Sequence, residues 1–467
     1  MSTSTQLNQD LLAGIAEHQR AQYFRGWLKD FDKEVSTKRE KIAQFREWLE
    51  QLSDDEITRS YQRHYNPTYL NLVSVFPEEP NEDVHSLTID CIKTKLWNEC
   101  EYFFHLSELL EAIKSGQNGE EFATKQRLPR LKGWDTGLIR SLLQHGRGLV
   151  ICGFRFGAIR HIPIELAFLG FPIVEAVNTP TYEAMQSAFA SLGIDGNEKI
   201  VSSPQDPAIH ADNIRLLRTV NAEDDRCTVQ LVDALKRREI VGICVEGNTG
   251  SDGPWGDTSK SKINFLGHTI LAKNGAARLA AALRAPILPV VALKDADASG
   301  RLFFSEPIIP PAGLRRSENE EFVKTTMQSL YTLLESYVRR YPQQWEGWSA
   351  LHRWRERDDV DASDQESNNA GPDEISQLLR NGKKFRMNPG RVAQLPTKHG
   401  VMWVDLRTLK GFQNPKWVEP ENLLAILSTA EGLDLSWIDG AGRDPDWKQK
   451  ICLLLAYLRQ SDLVSTC

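Results

Sequence analysis

The sequence predicts an α/β protein whose central domain has a mostly parallel sheet, preceded by a helical domain and followed by a small α+β domain. Apolar residues near the start recur at helical spacing. In the middle, short apolar runs rich in β-branched residues alternate with helical stretches. Near the end, a charged segment separates a last region in which two short strands precede helices.

The amino-acid composition limits the number of domains and the kinds of partner that the protein is expected to have. The chain has 467 residues, with 56 basic and 63 acidic side chains and a formal net charge of −7. At about 100–200 residues per domain, this length predicts two to four domains. There is no basic excess of the kind that attracts phosphate backbones, so nucleic acid is not expected as a partner.

Cysteine usage and hydropathy indicate a cytoplasmic protein. The seven cysteines are scattered without a C-x-x-C pair, which argues against a disulfide framework and a structural zinc site. The ten histidines show no paired spacing, so no metal site is predicted. Met1–Leu12 lacks a signal-peptide pattern, and no run approaches the roughly 18 apolar residues of a transmembrane segment.

Residues 1–115 are predicted to form the helical domain. Apolar side chains recur mostly at steps of three, four and seven, as expected for the buried face of a helix. They include Phe24, Leu28, Phe45, Trp48 and Leu52. A second helical pattern covers Leu96–Ile113, and three prolines, Pro67, Pro77 and Pro80, interrupt the segment between the two.

A polar connector, 116–133, leads into the central domain, 134–356. The predicted strands are Gly148–Phe154, Phe171–Ala176, Ile240–Glu246, Pro286–Leu293 and Arg301–Phe304. The predicted helices are Leu138–Gln144, Pro163–Leu169, Thr181–Leu192, Asn213–Val220, Val229–Arg238, Gly275–Leu283 and Glu320–Arg340. This alternation is typical of parallel sheets covered by helices.

Residues 357–374 are charged and nearly free of apolar side chains, which predicts a linker. Beyond it, 375–467 is predicted as a small α+β domain. Its strands lie near Val392–Leu395 and Val401–Asp405, and its helices near Pro420–Ala430 and Trp447–Arg459. This order is similar to that of small PqqD-like peptide-binding modules. A packing or dimerisation domain remains an alternative.

The most informative segment for function is Gly146–Ile173. A predicted strand runs into a turn containing Gly153 and Gly157, and a helix follows with Pro163 in its first turn. The turn also carries Arg155, Arg160 and His161 beside the positive end of the helix dipole. Such a turn favours an anion or a developing oxyanion.

An ordered set of further segments continues this pattern over 134–356. They are Asn213–Arg218, the strand ending at Glu246, Phe265–Gly267, Gly275–Ala280, Ala285–Pro289 and Tyr341–Trp345 with Trp348 and Arg353. In this order and spacing the chain resembles the lysophospholipid acyltransferase superfamily, and within it the late acyltransferases of lipid A. The resemblance implies transfer of an acyl group from a thioester.

The His-x4-Asp/Glu motif of that family is replaced here by Arg155-x4-Arg160. Arginine stays protonated and cannot be the catalytic base. In one interpretation, His161 is a displaced base and Glu165, four residues on, orients it. In a second, Arg155 and Arg160 hold or polarise the thioester, and the acceptor is an amine that needs no strong base. In a third, the chain binds ligands without catalysis.

Other candidate substrate-binding residues surround the same predicted sheet edge. Glu246, Asn248, Thr249 and Asp252 follow a buried strand, where the sites of α/β proteins assemble. A glycine- and asparagine-rich loop is equally typical of a plain turn. His268 and Arg278 flank the segment that, in the family, approaches the acyl chain or the acceptor.

The resulting hypothesis is a bacterial enzyme of specialised metabolism that moves an acyl group from a thioester to a small-molecule acceptor. The donor is a thioester of coenzyme A or of an acyl or aminoacyl carrier protein, and no separate cofactor is expected. A helical domain stands where the lipid A enzymes have a membrane anchor, which favours a soluble acceptor. The alternatives are a binding protein on the same scaffold and a lipid acyltransferase in peripheral contact with a membrane.

Overall fold

The computed structural model describes most of the chain, with gaps. The described residues are 22–114 (without 23, 25, 29, 31 and 32), 130–145, 147–190, 216–247, 260–295, 299–313, 315–355, 371–387, 392–397, 400–405, 411–412, 427, 432–440, 445–460 and 463–466. The chain forms two compact units. Unit 1 is Met1–Tyr69 with Glu78–Ala350, and unit 2 is Leu70–Pro77 with Leu351–Cys467.

A seven-stranded sheet lies at the centre of unit 1. Its strands are β1 (Leu131–Lys132), β2 (Leu149–Gly153), β3 (Ile173–Val177), β4 (Leu217–Asn221), β5 (Ile240–Cys244), β8 (Ile287–Lys294) and β9 (Gly300–Phe304). Their order is β1-β9-β8-β2-β5-β3-β4. The run from β8 to β4 is parallel, and β9 is antiparallel to β8. The α/β class and the mostly parallel sheet are therefore confirmed.

The central strands are buried along their length. Every residue of β2 is buried, and only the last residue of β8 is partly exposed. A parallel strand that is buried on both faces needs apolar side chains at every position, so its sequence is a continuous apolar run. The strands β6 (Lys260–Phe265) and β7 (His268–Lys273) form a separate antiparallel hairpin.

Helices connect and cover the strands of unit 1. They are α5 (Thr136–His145), α6 (Ile162–Phe168), α7 (Thr179–Ala190), α8 (Cys227–Lys236), α9 (Gly275–Leu283) and α10 (Arg316–Arg340). Two 3₁₀ turns, Pro342–Gln344 and Glu346–Ser349, follow α10.

The N-terminal region is helical, as predicted. Its helices are α1 (Val35–Gln51), α2 (Asp54–Ser60), α3 (Gln62–Val75) and α4 (Asn81–Lys114). Phe24, Phe45 and Trp48 form an aromatic cluster with ring centroids 5.1–6.0 Å apart. The long helix α4 packs against α1 and against the Pro342–Gln344 turn.

One predicted element in this unit is wrong. The sequence predicts a helix over Asn213–Val220, but Leu217–Asn221 is strand β4, paired in parallel with β3. Leu217 and Val220 have the three-residue spacing of a helix face. The β-branched pair Thr219–Val220 and the free edge of β3 favour the strand instead.

Unit 2 has its own apolar core, formed by side chains such as Ile375, Phe385, Leu433, Ile451 and Leu455. Its helices are α11 (Leu351–Trp354), α12 (Pro372–Arg380), α13 (Leu435–Gly440) and α14 (Pro445–Gln460). Its strands are β10 (Phe385–Met387), β11 (Val392–Thr397), β12 (Gly400–Asp405), β13 (Gly411–Phe412) and β14 (Val464–Thr466). The two strands predicted near 392 and 401 are confirmed, whereas the helix predicted over Pro420–Ala430 lies almost wholly outside the described residues.

Among the described residues, no helix combines the length and the apolar character that crossing a bilayer requires. The domain boundaries predicted from the sequence stay predictions.

Candidate functional site

Ionisable side chains gather where β2, β3 and β5 end. In the parallel register, Cys244 lies opposite Gly153 and Glu175 opposite Gly242. Because side chains alternate along a strand, Glu175 and Cys244 face the same side of the sheet. The carboxyl ends of neighbouring parallel strands are where ligands bind in α/β proteins.

The turn after β2 positions the predicted arginines. Gly157 has φ of +55°, and a Cβ there would collide with the carbonyl oxygen of Ala292. Residues Ile159–His161 then form a 3₁₀ turn, and α6 starts with Pro163 in its first turn. A residue with a side chain would not fit at position 157, so the glycine fixes the path that carries Arg155 and Arg160 to the sheet edge.

Arg160, 31% exposed, forms an ion pair with the buried carboxylate of Glu346. Its Nη2 lies 2.6 Å from Glu346 Oε2, and the glutamate side chain is only 7% exposed. Burial would raise the pKa of Glu346, but the charge of Arg160 and its hydrogen bond hold that pKa below the usual value. The buried Nε of Arg160 has no hydrogen-bond partner among the described residues, so one guanidinium donor is unused.

The backbone of Arg155 is hydrogen-bonded to the side chain of Glu246. Glu246 Oε1 accepts hydrogen bonds from the backbone N–H of Arg155, at 2.9 Å, and from Trp345 Nε1, at 3.1 Å. The other oxygen, Oε2, is buried without a partner within the described part of the chain. Burial raises the pKa of this carboxyl. The Arg155 guanidinium donates to the carbonyl oxygen of Gly247, at 3.1 Å.

Glu175 is a candidate that the sequence does not single out. It is partly exposed, and its carboxylate makes no hydrogen bond with the described residues. Burial raises its pKa to about 7, against the opposing charge of Arg160. The only sequence signal is an acid in the second half of an otherwise apolar strand. A carboxyl with a pKa near neutral, at the carboxyl ends of parallel strands, is a functional candidate.

Cys244 and Tyr102 complete the cluster. Burial raises the pKa of both groups, and nearby carboxylates add to the effect, Glu246 for Cys244 and Glu175 for Tyr102. Both groups therefore stay protonated at neutral pH, and a thiol in that state is a weak nucleophile.

The structure does not join His161 to Glu165 by a hydrogen bond. Glu165 accepts instead from the backbone N–H of Arg130, at 2.8 Å, and from Trp134 Nε1, at 2.9 Å; the backbone N–H of Leu131 donates to both its oxygens. Burial raises the pKa of Glu165 to about 7 despite these donors. Glu165 thus holds the chain at β1, and its catalytic role stays a prediction.

His161 is a buried neutral imidazole. Its ring lies 5.2 Å from the ring of His105, and its Nδ1 has no partner among the described residues. Burial, with the charges of Arg130, Lys294 and Arg160, lowers the pKa of His161 to about 3. A base this weak takes up a proton reluctantly at neutral pH.

The same environment predicts acid destabilisation. The unfolded chain binds a proton at His161 near pH 6.5, whereas the folded chain does so only near pH 3, so stability falls as the pH drops between these values. Glu165 and Glu175 have raised pKa values and act with the opposite sign between about pH 4.5 and 7. Comparing the unmodified protein with a variant at position 161 isolates the contribution of the histidine to this pH dependence.

We expect His161→Phe to reduce the slope of unfolding free energy against pH by about 1.4 kcal/mol per pH unit between about pH 6 and 4. Urea unfolding at a series of pH values measures both slopes. Equal slopes in the two proteins would contradict the buried neutral state.

The other predicted residues lie apart from this cluster or outside the described residues. Asn248, Thr249 and Asp252 are not described. His268 begins β7 opposite Phe265. Arg278 donates to Asn274 Oδ1 at 3.0 Å and forms a bidentate pair with Glu320 at 2.8–2.9 Å. The hydrogen bonds of Arg278 therefore go to Asn274 and Glu320 and not to the 155–161 turn.

Two openings flank α4 where it passes the sheet edge. One is a small cavity of about 50 Å³, lined by Trp345, Glu346 and Trp348 with residues of α3 and α4 such as Lys95 and Glu99. It can hold a few water molecules. The other is an open groove of about 450 Å³ on the opposite flank of the helix, between α1, α4 and the end of β8.

Comparison of the chain with models of known protein families finds no match, and comparison with curated proteins finds none. Within the described ranges, no three His, Cys, Asp or Glu side chains come together in a way that would hold a metal ion.

Proposed function

We propose that the chain is an acyl-transfer enzyme related to the lysophospholipid acyltransferases, acting on a thioester donor and a small amine acceptor. In this proposal 134–356 is the acyltransferase-like domain, with a helical domain before it and a small α+β domain after it. We also propose a cytoplasmic location, which the free state of all six described cysteines supports.

The observation that carries the proposal is the placement of Glu175, a carboxyl with a raised pKa, at the strand ends from which the turn with Arg155 and Arg160 departs. Burial raises the pKa of Glu175 to about 7, and the charge of Arg160 opposes that rise. General bases work best when their pKa lies near the operating pH. A guanidinium keeps its charge at that pH and offers donors to an oxyanion.

The steps follow from these roles. Glu175 takes a proton from the acceptor ammonium, and the neutral amine attacks the carbonyl carbon of the thioester. The oxyanion that forms accepts a hydrogen bond from the guanidinium of Arg155 or Arg160. The carbon–sulfur bond then breaks and the thiolate leaves. The attacking nitrogen gives its remaining extra proton to the thiolate, directly or through water, so that a neutral amide and a free thiol are released. Glu175 returns its proton to solvent. The reaction needs no base as strong as the one an alcohol acceptor requires.

The experiment compares two glutamates with similar pKa values but different surroundings. Intact mass spectrometry follows acyl transfer from a panel of coenzyme A and carrier-protein thioesters to amines and alcohols. We expect Glu175→Gln to lower turnover by about 10²–10⁴-fold. The matched control is Glu165→Gln, since Glu165 also has a pKa of about 7 but is bound to the backbone near β1.

The control variants separate the two assignments of the base. Loss of turnover in His161→Ala and Glu165→Gln, with turnover retained in Glu175→Gln, would support the displaced His161–Glu165 pair and refute Glu175. Thioester binding without turnover in the unmodified protein would refute the enzyme and favour the binding-protein alternative.

A further inference from the structure

The open groove beside α4 has a cationic lining. Three of its side chains are basic: Arg46 from α1, Lys93 from α4 and Lys294 from the end of β8. Two are acidic, Glu50 and Asp295. Asp295 forms an ion pair with Arg301, which lies outside the groove; Arg301 Nη2 is 2.8 Å from Asp295 Oδ1. Lys294 is in turn paired with the buried carboxylate of Glu101, and Arg46 with Glu50. The positive excess of the lining therefore comes from Lys93, and it attracts an anion to the end of the groove where Lys93 and Arg46 lie.

The basic groups keep donors that no described residue uses. Lys93 Nζ donates to the carbonyl oxygen of Leu52, at 3.1 Å. Since an ammonium has three protons, that hydrogen bond leaves two for a ligand. Arg46 binds Glu50 through Nε at 3.1 Å, which leaves its other guanidinium nitrogens available. Charge-assisted hydrogen bonds from such groups are the usual contacts of a phosphate.

The groove also has an aromatic and amide surface. Trp97 lies at its floor, with Arg46 Cζ 5.6 Å and Lys294 Nζ 5.5 Å from the ring centroid. The side-chain amide of Gln343 lines the wall and makes no hydrogen bond with the described residues. A ligand with an anionic end and an amide-containing chain matches this lining.

The groove runs from solvent towards the candidate site. The side chain of Arg46 is 60% exposed and that of Lys294 only 11%. Lys294 Nζ contacts Asn98 Oδ1 at 3.0 Å, and Asn98 Nδ2 lies 3.3 Å from the carbonyl oxygen of Gly157. The inner end of the groove is therefore one side chain from the turn that carries Arg155 and Arg160.

We infer that this groove binds the phosphopantetheine arm of the thioester donor, with its phosphate between Arg46 and Lys93 and its thioester end directed past Lys294. Only the position of the thioester end rests on the proposed function. The phosphate contact is independent of it, because binding can be measured without turnover. Phosphopantetheine is shared by coenzyme A and by carrier proteins. The phosphate takes the open end because a dianion keeps part of its hydration there.

The test measures binding by isothermal titration calorimetry at low ionic strength. The probes are 4′-phosphopantetheine, pantetheine without the phosphate, coenzyme A, and a carrier protein with and without its arm. We expect the phosphate to strengthen binding of the arm about tenfold or more, as one or two charge-assisted hydrogen bonds do. The double variant Arg46→Gln with Lys93→Gln should remove that difference.

A matched control is Arg339→Gln, which removes an exposed arginine of α10 paired with Glu335 and outside the groove. It should keep the phosphate effect. Equal binding of the two pantetheine probes, or an unchanged phosphate effect in the double variant, would overturn the inference. Tighter binding of the armed carrier than of coenzyme A would identify the carrier as the source, and the reverse would identify coenzyme A.

The two proposals fail in different ways. Acyl transfer without an effect of the phosphate on binding would refute the inference about the groove and leave the proposed enzyme activity standing. An effect of the phosphate on binding that depends on Arg46 and Lys93, without acyl transfer to any acceptor, would support the inference about the groove and refute the proposed enzyme activity.

Discussion

Replacing Arg160 with methionine is expected to lower the free energy of unfolding by about 3–5 kcal/mol. The substitution leaves the carboxylate of Glu346 buried, with 7% of its side chain exposed, and without its 2.6 Å partner. Glu346 keeps the amide of Asn98, 3.5 Å from its Oε1, and the charge of Lys95, which lowers its pKa less than Arg160 does. Urea unfolding at neutral pH measures the loss.

Two further variants test the cause. The double variant Arg160→Met with Glu346→Leu should recover most of the loss, because a buried pair replaced by apolar groups is often neutral. Arg278→Met breaks an exposed arginine–glutamate pair, 38% and 52% exposed, and should cost far less than Arg160→Met, because exposed ion pairs contribute little to stability. Equal losses for Arg160→Met and Arg278→Met would contradict a buried pair.

Replacing Trp345 with alanine should also cost about 3–5 kcal/mol. The side chain is 1% exposed and packs against Trp348, with ring centroids 4.9 Å apart, and against Phe265, at 5.4 Å. Its removal leaves a cavity and takes one donor from the buried carboxyl of Glu246. Thermal and urea unfolding of the variant measure the combined effect.

Trp345→Phe separates the two contributions. Phenylalanine keeps an aromatic ring but loses the indole N–H, so we expect a cost of about 1–3 kcal/mol from the unpaired oxygen of Glu246 and the smaller ring. A loss in Trp345→Phe as large as that in Trp345→Ala would show that the hydrogen bond dominates over packing.

The central strands were predictable because burial on both faces leaves a plain signal. β2, β5 and β8 are short apolar runs rich in valine and isoleucine, and each lies within two residues of its predicted limits. The β6–β7 hairpin was not predicted. Its strand Lys260–Phe265 carries two lysines, and its turn places Leu266 and Gly267 at positive φ, where asparagine or aspartate would have signalled a turn.

Proline also misled the prediction locally. Pro67 lies inside α3, while the interruption is limited to the residues around Pro77 and Pro80. Proline removes one backbone donor, and the packing of α3 tolerates that loss.

The candidate site was only partly predictable. Arg155, Arg160 and Glu246 follow β2 and β5, and parallel pairing brings the ends of those strands together. Glu346 lies 186 positions from Arg160, so no local pattern connects them. The raised pKa of Glu175 comes from burial among distant elements, a tertiary property that the strand sequence does not carry.

The division of the chain has a consequence for its synthesis. Leu70–Pro77 belongs to unit 2, although the rest of that unit begins at Leu351. During translation, the second half of α3 emerges early and finds partners such as His352, 3.1 Å from Asn71, only after unit 1 has left the ribosome. Leu70 and Leu72, which are buried in the folded chain, lie in this segment, and segments whose partners are synthesised late are prone to expose apolar surface during folding.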